Sequence, residues 1–265
     1  MKPKDRQDQI LNLLHSHHHQ WHVKDLSNAF NVSELTIRRD LNKLYISNEI
    51  IRTHGGCVAT GNSSFDTNYY KQFERNIAVK KAIGREAAKL VNPHDTLLLG
   101  DGSTAFQFAA HLNNSGPITV YTNSIAAIQE LKQCENIRVY VLGGEYDHDL
   151  NMLLLKGSLS DRILETLHFN IIIMGIAAIN CEGFCLSENE EVARTNQIIL
   201  RRGERKILLA DHSKVGATAG NVIFGNISDY DLWITSKGVE KSLMDKFSKL
   251  TMIKEIDTAY EEHES

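Results

Sequence analysis

Near its N-terminus the chain repeats apolar residues at the spacing of one helix face. Ile10, Leu11 and Leu14 predict a first helix, Leu26 and Phe30 within Val23–Phe30 a second, and Ile37, Leu41 and Leu44 a third. Only Asn31-Val32 separates the second from the third, the arrangement of a helix-turn-helix. Ser33 stands where a hydroxyl accepts a backbone N–H at a helix start. The next stretch, Ile50-Ile51-Arg52-Thr53-His54-Gly55-Gly56-Cys57-Val58, joins a short apolar pair to a basic residue and a Gly-Gly turn, and predicts a small β wing.

Beyond it the pattern changes. Residues 59–76, with Thr60-Gly61-Asn62-Ser63-Ser64, turn polar and read as a linker between a head (1–58) and a body (77–265). A helix is predicted from about Ala78 to Leu90 with Ile83, Ala87 and Leu90 on one face, and Pro93 follows its end. Short apolar runs then alternate with helical patterns: Thr96–Leu99, Ile118–Tyr121, Val139–Leu142, Ile171–Met174, Ile207–Ala210 and Leu232–Thr235. Runs of this length and regularity predict buried strands of a largely parallel sheet. The fold class expected is α/β: an N-terminal winged helix-turn-helix domain plus a C-terminal open α/β effector-binding and oligomerisation domain.

These elements carry two sets of candidate functional residues. On the third helix Ser33, Thr36 and Arg39 repeat every three residues off the apolar stripe, beside Arg38, so hydroxyls and a guanidinium face one way together. With Arg52, His54, Gly55 and Gly56 of the wing they form the candidate DNA-binding set, its partner being operator double-stranded DNA. In the body, several predicted strands run straight into small or polar residues: Asp101-Gly102-Ser103-Thr104, Thr122-Asn123, Gly143-Gly144, Gly175 and Asp211 through Lys214. In an open α/β sheet such positions share the carboxyl edge, where ligands bind. Gly102-Ser103-Thr104 suits an anion: glycine permits close backbone approach, and hydroxyls with helix-terminal N–H groups donate to its oxygens. Lys214 adds a charge. This points to a small polyol or sugar phosphate, with a carboxylate ligand left open by composition alone.

Charge and cysteine content narrow the class. The 265-residue chain has net charge −4 and 42% hydrophobic residues, but residues 1–58 hold eight Lys/Arg against six Asp/Glu, a formal +2 that leaves −6 for the rest. A mildly basic head on an acidic body fits site-specific DNA binding rather than a general nucleic-acid coat. Cys57, Cys134, Cys181 and Cys185 form no paired framework, and the start Met-Lys-Pro-Lys is not that of a signal peptide, so a reducing cytoplasm is expected. The longest apolar run, around Phe169–Ile179, is too short to cross a bilayer, so no membrane partner is expected. Neither Cys181 with Cys185 nor the run His15, His17, His18, His19 and His22 is read as a metal site. No cofactor is expected.

Val32-Ser33-x-x-Thr36-Ile37-Arg38-Arg39-Asp40-Leu41, followed by Arg52-Thr53-His54-Gly55-Gly56, resembles the DeoR family of bacterial repressors. The resemblance runs on through Asp101–Thr104, Thr122–Ser124, Gly143-Gly144 and Asp211–Gly216, nearly the whole chain. It implies an effector domain similar to sugar-phosphate isomerases of the ribose-5-phosphate type, sensing phosphorylated intermediates of carbohydrate catabolism. It also implies a ligand-facing set of Asp101, Gly102, Ser103, Thr104, Thr122, Asn123, Gly143, Gly144, Gly175, Asp211 and Lys214. The frequent Ser/Gly-Thr-Thr form is here Gly102-Ser103-Thr104-Ala105, one hydroxyl short. Within Ser187–Arg194, Glu190 or Glu191 fits the family's acidic position, the alternative being a solvated first turn that complements the helix dipole.

The expectation is a ligand-responsive repressor of a carbohydrate-utilisation operon, acting as a homo-oligomer (dimer or tetramer) and not as an enzyme. A sugar-phosphate isomerase-like enzyme with an appended DNA-binding head is the alternative. It has no evident use for Arg38, Arg39 and the wing, and no acid/base pair or catalytic residue can be assigned. A purely architectural DNA-binding protein would carry more positive charge and need no such pocket.

Overall fold

A computed structural model describes residues 3–16, 21–46, 49–53, 56–59, 72–112, 116–146, 155–217 and 220–257. The chain divides between Arg75 and Asn76 into two compact units. Most of the expected linker and the His17–His19 run lie outside the described residues.

The first unit contains helices α1 (Pro3–Ser16), α2 (Val23–Phe30) and α3 (Glu34–Ile46) and strands β1 (Trp21–His22), β2 (Ile50–Thr53) and β3 (Gly56–Ala59). Its core is Ile10, Leu14, Val23, Leu26, Ile37, Leu41, Leu44, Ile50 and Cys57, so the predicted stripes of all three helices converge on one apolar cluster. Phe30 packs only at its margin. Asn31 takes the left-handed conformation (φ 50°) and its N–H donates to the Asn28 carbonyl, closing α2 and turning the chain toward α3. Strands β2 and β3 form the predicted hairpin, in register Arg52↔Cys57 and Thr53↔Gly56.

The sequence pattern missed β1, which pairs with the far edge of β3. Two residues are too few to show a period. That pairing gives Gly56 a packing reason, because a Cβ there would lie 2.1 Å from the Trp21 carbonyl oxygen. Gly56 is buried within a strand, not held in an exposed turn.

The second unit is built on a seven-stranded, all-parallel sheet in the order β15-β14-β12-β9-β4-β5-β6. The strands are β4 (Thr96–Leu99), β5 (Ile118–Thr122), β6 (Ile137–Val141), β9 (Phe169–Met174), β12 (Gly203–Leu209), β14 (Leu232–Ser236) and β15 (Met252–Ile256). Successive residues point to opposite faces, so Leu97, Leu99, Ile171, Ile173, Ile207 and Leu209 enter one apolar layer. Leu98, Ile172, Met174 and Leu208 enter the other. Burial on both faces explains why the inner strands read as continuous apolar runs.

Strand β15 was not expected. It lies at the sheet edge and alternates exposed Met252, Lys254 and Glu255 with half-buried positions, so it lacks the apolar run of an inner strand. The antiparallel trio β10 (Ala178–Ile179), β11 (Phe184–Ser187) and β13 (Val222–Asn226) and the pair β7 (Glu145–Tyr146) and β8 (Leu155–Lys156) were also missed. The expected Ala78–Leu90 helix is α4, Ile77–Ala88. Its Gly84 backs onto the helix Ser103–Ala110 (α5), where a Cβ would stand 2.6 Å from the Gln107 backbone.

Candidate DNA-reading helix and effector edge

Ser33 starts α3 as its spacing predicted. Its Oγ accepts from the Thr36 N–H at 3.3 Å and shares a 2.9 Å hydrogen bond with Thr36 Oγ1. Opposite the buried stripe, Glu34, Leu35, Arg38 and Arg39 are exposed, and Thr36 is half-buried. Arg38 lies 3.6 Å from Glu34 across one turn, a solvated pair that does little for stability.

Asp40, next to Arg39, points the other way and is buried. The Arg6 guanidinium Nε donates to its Oδ2 at 2.6 Å and Gln7 Nε2 donates to its Oδ1 at 2.8 Å. The buried ion pair fixes α3 on α1 and so sets which side of α3 faces solvent. Arg52 belongs to β2 by its backbone, while its side chain, His54 and Gly55 lie outside the described residues.

In the second unit the sheet order changes direction between β4 and its neighbour β9: β5 and β6 continue to one side, β12, β14 and β15 to the other. In such folds this switch point opens a crevice beyond the carboxyl ends of the strands. Asp101, Gly102 and Gly175 lie there. The Gly100 N–H donates to the Ile173 carbonyl at 2.8 Å, and a Cβ on Gly175 would come within 2.8 Å of the Asp101 carbonyl oxygen. Gly102 has φ 118°, which strains any residue with a Cβ, and it leads into α5, whose first turn holds Ser103 and Thr104. Ser124 Oγ donates to Asp101 Oδ1 at 3.0 Å and orients that carboxylate. Ser124 was absent from the expected set, and a Thr-Asn-Ser run at a strand end offers no signal for which member turns inward.

The structure gives other expected residues packing or capping work. Thr122 Oγ1 accepts from the Ser124 N–H at 3.0 Å, and Asn123 Nδ2 donates to the Leu155 carbonyl at 2.9 Å. Ser160 Oγ donates to the Gly143 carbonyl, and a Cβ on Gly144 would approach the Lys156 carbonyl to 2.3 Å. Together these contacts fix β8 and the helix Ser158–Leu164 against the ends of β5 and β6. Both members of the acidic pair are exposed, and Glu191 is tied to this cluster through Lys156 Nζ at 2.6 Å.

Asp211 is wholly buried. Its Oδ1 accepts from the Ser213 N–H at 2.9 Å and from Asn76 Nδ2 at 3.1 Å, and its Oδ2 has no hydrogen-bond partner among the described residues. Burial pushes its pKa up. Hydrogen bonds from Ser213, the charge of Lys80 and the Asn76 amide outweigh that and hold the carboxyl below the ordinary carboxylate value. Lys80, on α4, is 1% exposed and Lys214, at the end of a short 3₁₀ turn, is 8% exposed. Asp211 is therefore an inward anchor; Asn76, expected to end the linker, is its partner, and Lys80, to which the pattern gave no role, supplies a charge beside it.

Among the described residues no group of three or more His, Cys, Asp or Glu side chains is placed to hold a metal, and no helix is long and apolar enough to cross a membrane.

A winged helix-turn-helix unit joined to an open parallel α/β unit with small and polar residues at its switch point is the architecture of a ligand-responsive DNA-binding regulator. Residues 6–62 match the DeoR-like helix-turn-helix domain and residues 75–237 the DeoR C terminal sensor domain. The chain belongs to the DeoR family of transcriptional regulators. It is similar to the HTH-type transcriptional regulator GolR of Listeria innocua, 33% identical over 249 residues that cover 93% of this chain and 96% of that protein. It is also similar to the lactose phosphotransferase system repressor of Staphylococcus aureus, 33% identical over 73% of this chain and 77% of that one. Ribose 5-phosphate isomerase A of Methanocaldococcus jannaschii matches 53% of this chain over 55% of its own at 20% identity, with a TM-score of 0.39. The relatives that span most of the chain carry the names of regulators, against the isomerase-like alternative.

Proposed function

We propose that the protein is a cytoplasmic repressor of a carbohydrate-utilisation operon, released from its operator when a phosphorylated sugar or polyol occupies the crevice between β4 and β9. The observation that carries this reading is the convergence of Asp101, Gly102 and Gly175 at the sheet's switch point, beside the N-terminus of α5. Glycine at two of the three positions keeps the backbone accessible, and helix-terminal N–H groups with the Ser103 and Thr104 hydroxyls suit a phosphate. Lys214 supplies a cation to the same ligand and Glu191 bonds a sugar hydroxyl. On DNA, Arg39 reads a base edge in the major groove, with Ser33, Thr36 and Arg38 beside it, and Arg52, His54 and Gly55 of the wing hold phosphates.

A homo-oligomer, dimer or tetramer, presents paired heads to repeated half-sites. Effector binding acts by differing in affinity between the DNA-competent and incompetent states; a coupling of about 1–3 kcal/mol changes operator affinity roughly 5- to 150-fold.

The test is fluorescence anisotropy of the full-length protein on duplexes selected from a random pool, at fixed salt, with and without a panel of sugar phosphates. Site-selective binding weakened by one member is the expected result. Absence of any site-selective binding overturns the reading.

A further inference from the structure

We infer that Leu35 is a specificity-determining residue that reads the 5-methyl group of a thymine in the operator; this rests on the DNA-reading role of α3. Leu35 is 59% exposed. A single exposed leucine is ordinary on a protein surface. What distinguishes this one is its place. It lies in the first turn of α3, the part of a recognition helix that meets base edges, and the helix is rolled into position by buried Ile37, Leu41 and Asp40. Arg38 and Arg39 follow Leu35 by three and four residues, so their exposed side chains share its face and bring phosphates and base edges toward it.

Tyr45, the other large apolar side chain exposed among the described residues of this unit, has a partner in Glu74, toward which its hydroxyl donates at 3.5 Å. Leu35 has no polar atom to offer a base. In the major groove the apolar feature that distinguishes one base pair from another is the thymine methyl. Four residues of helix rise by about 6 Å, so a Leu35 contact falls one or two base pairs from a guanine read by Arg39. The operator half-site then contains a thymine in fixed register with that guanine. A leucine, unlike Ser33, has only apolar atoms to present, and so discriminates thymine from cytosine at that position through one methyl group.

The experiment uses the full chain and the site it selects from a random duplex pool. Each thymine of that site is replaced in turn by deoxyuridine, which removes the methyl and leaves pairing intact. For the wild type, one substitution per half-site is expected to weaken binding about fourfold, the equivalent of the ~0.8 kcal/mol carried by one buried methyl-sized group. Leu35→Ala is expected to bind thymine and deoxyuridine sites equally at that position while keeping its guanine preference and its melting temperature.

Equal sensitivity of both proteins to the substitution, or no sensitive thymine in the wild type, overturns the assignment while leaving site-selective binding in place. A change in oligomeric state on Leu35→Ala overturns it in favour of an interface between copies of the chain. Failure of the wild type to select any site removes the DNA-reading role and this inference with it.

Discussion

The side-chain amide of Asn76 donates to Asp211 Oδ1 at 3.1 Å and fastens the first residue of the second unit to a buried carboxylate far along the chain. Asn76 takes a left-handed conformation, φ 56°, at the start of α4. Asn76 is thus held by the segment that also carries Lys214.

The sign of the resulting pH dependence follows from the depressed pKa of Asp211. The unfolded chain, with a carboxylate pKa of about 3.9, takes up the proton first as pH falls. The stabilisation is thus fully present above about pH 4 and is lost as pH drops through the folded value. Denaturant titrations from pH 7 to pH 3 should show the wild type losing stability at the acid end. Asp211→Asn should start lower, by about 1–3 kcal/mol, because a buried amide N–H₂ would oppose Lys80 and Asn76, and should show a flatter acid limb.

Breaking the Arg6–Asp40 pair should unfold the head selectively. Asp40→Ala leaves a buried guanidinium unpaired and is expected to cost roughly 3–5 kcal/mol, enough to abolish operator binding. The double change Arg6→Met with Asp40→Leu should recover most of the thermal stability, because apolar groups of similar volume satisfy the site. Thermal melts of the wild type, the matching singles Arg6→Met and Asp40→Leu, and the double variant check this; strict additivity of the two single losses would contradict it.

Gly175→Ala tests the crevice without touching the head. Its new Cβ would be forced against the Asp101 carbonyl, shifting the Asp101-Gly102 turn. Operator affinity in the absence of effector should stay within about twofold of wild type, whereas the effector-induced loss of binding should shrink at least tenfold in potency. Anisotropy titrations with the effector read both numbers.

Arg39→Ala and Arg52→Ala should differ in kind. Loss of a base contact relaxes preference at one position, by about 1–3 kcal/mol of discrimination. Loss of a phosphate contact weakens all sequences alike and lowers the salt slope by about one unit. Affinities on cognate and scrambled duplexes at several salt concentrations separate the two, and equal losses everywhere for Arg39→Ala would remove its reading role.

Lys214→Met keeps bulk and removes charge. It is expected to leave operator binding and melting temperature near wild type and to blunt the effector response. A protein that melts early instead would make Lys214, which is largely buried, a structural cation.

The sequence alone determined the helix-turn-helix, the wing hairpin and six of the seven strands of the parallel sheet, because each rests on a local pattern: Ile37, Leu41 and Leu44 on one helix stripe, Leu97–Leu99 and Ile171–Ile173 as runs buried on both faces. It also located the small and polar strand ends, since Gly102 and Gly175 are demanded by backbone geometry within a few residues of a strand. Tertiary structure alone decided what those residues face. The pattern puts Asp211 among the ligand-facing residues and gives Asp40 and Lys80 no partner; only the fold brings Arg6 to Asp40, and Asn76 and the buried Lys80 to Asp211. Strand β15 and the small antiparallel sheet left no period of their own, because edge and two-residue strands take their order from their neighbours. The switch point itself is a property of strand order. Hydrophobic pattern, which records how deeply each segment is buried, is the same for a strand whichever neighbour it pairs with.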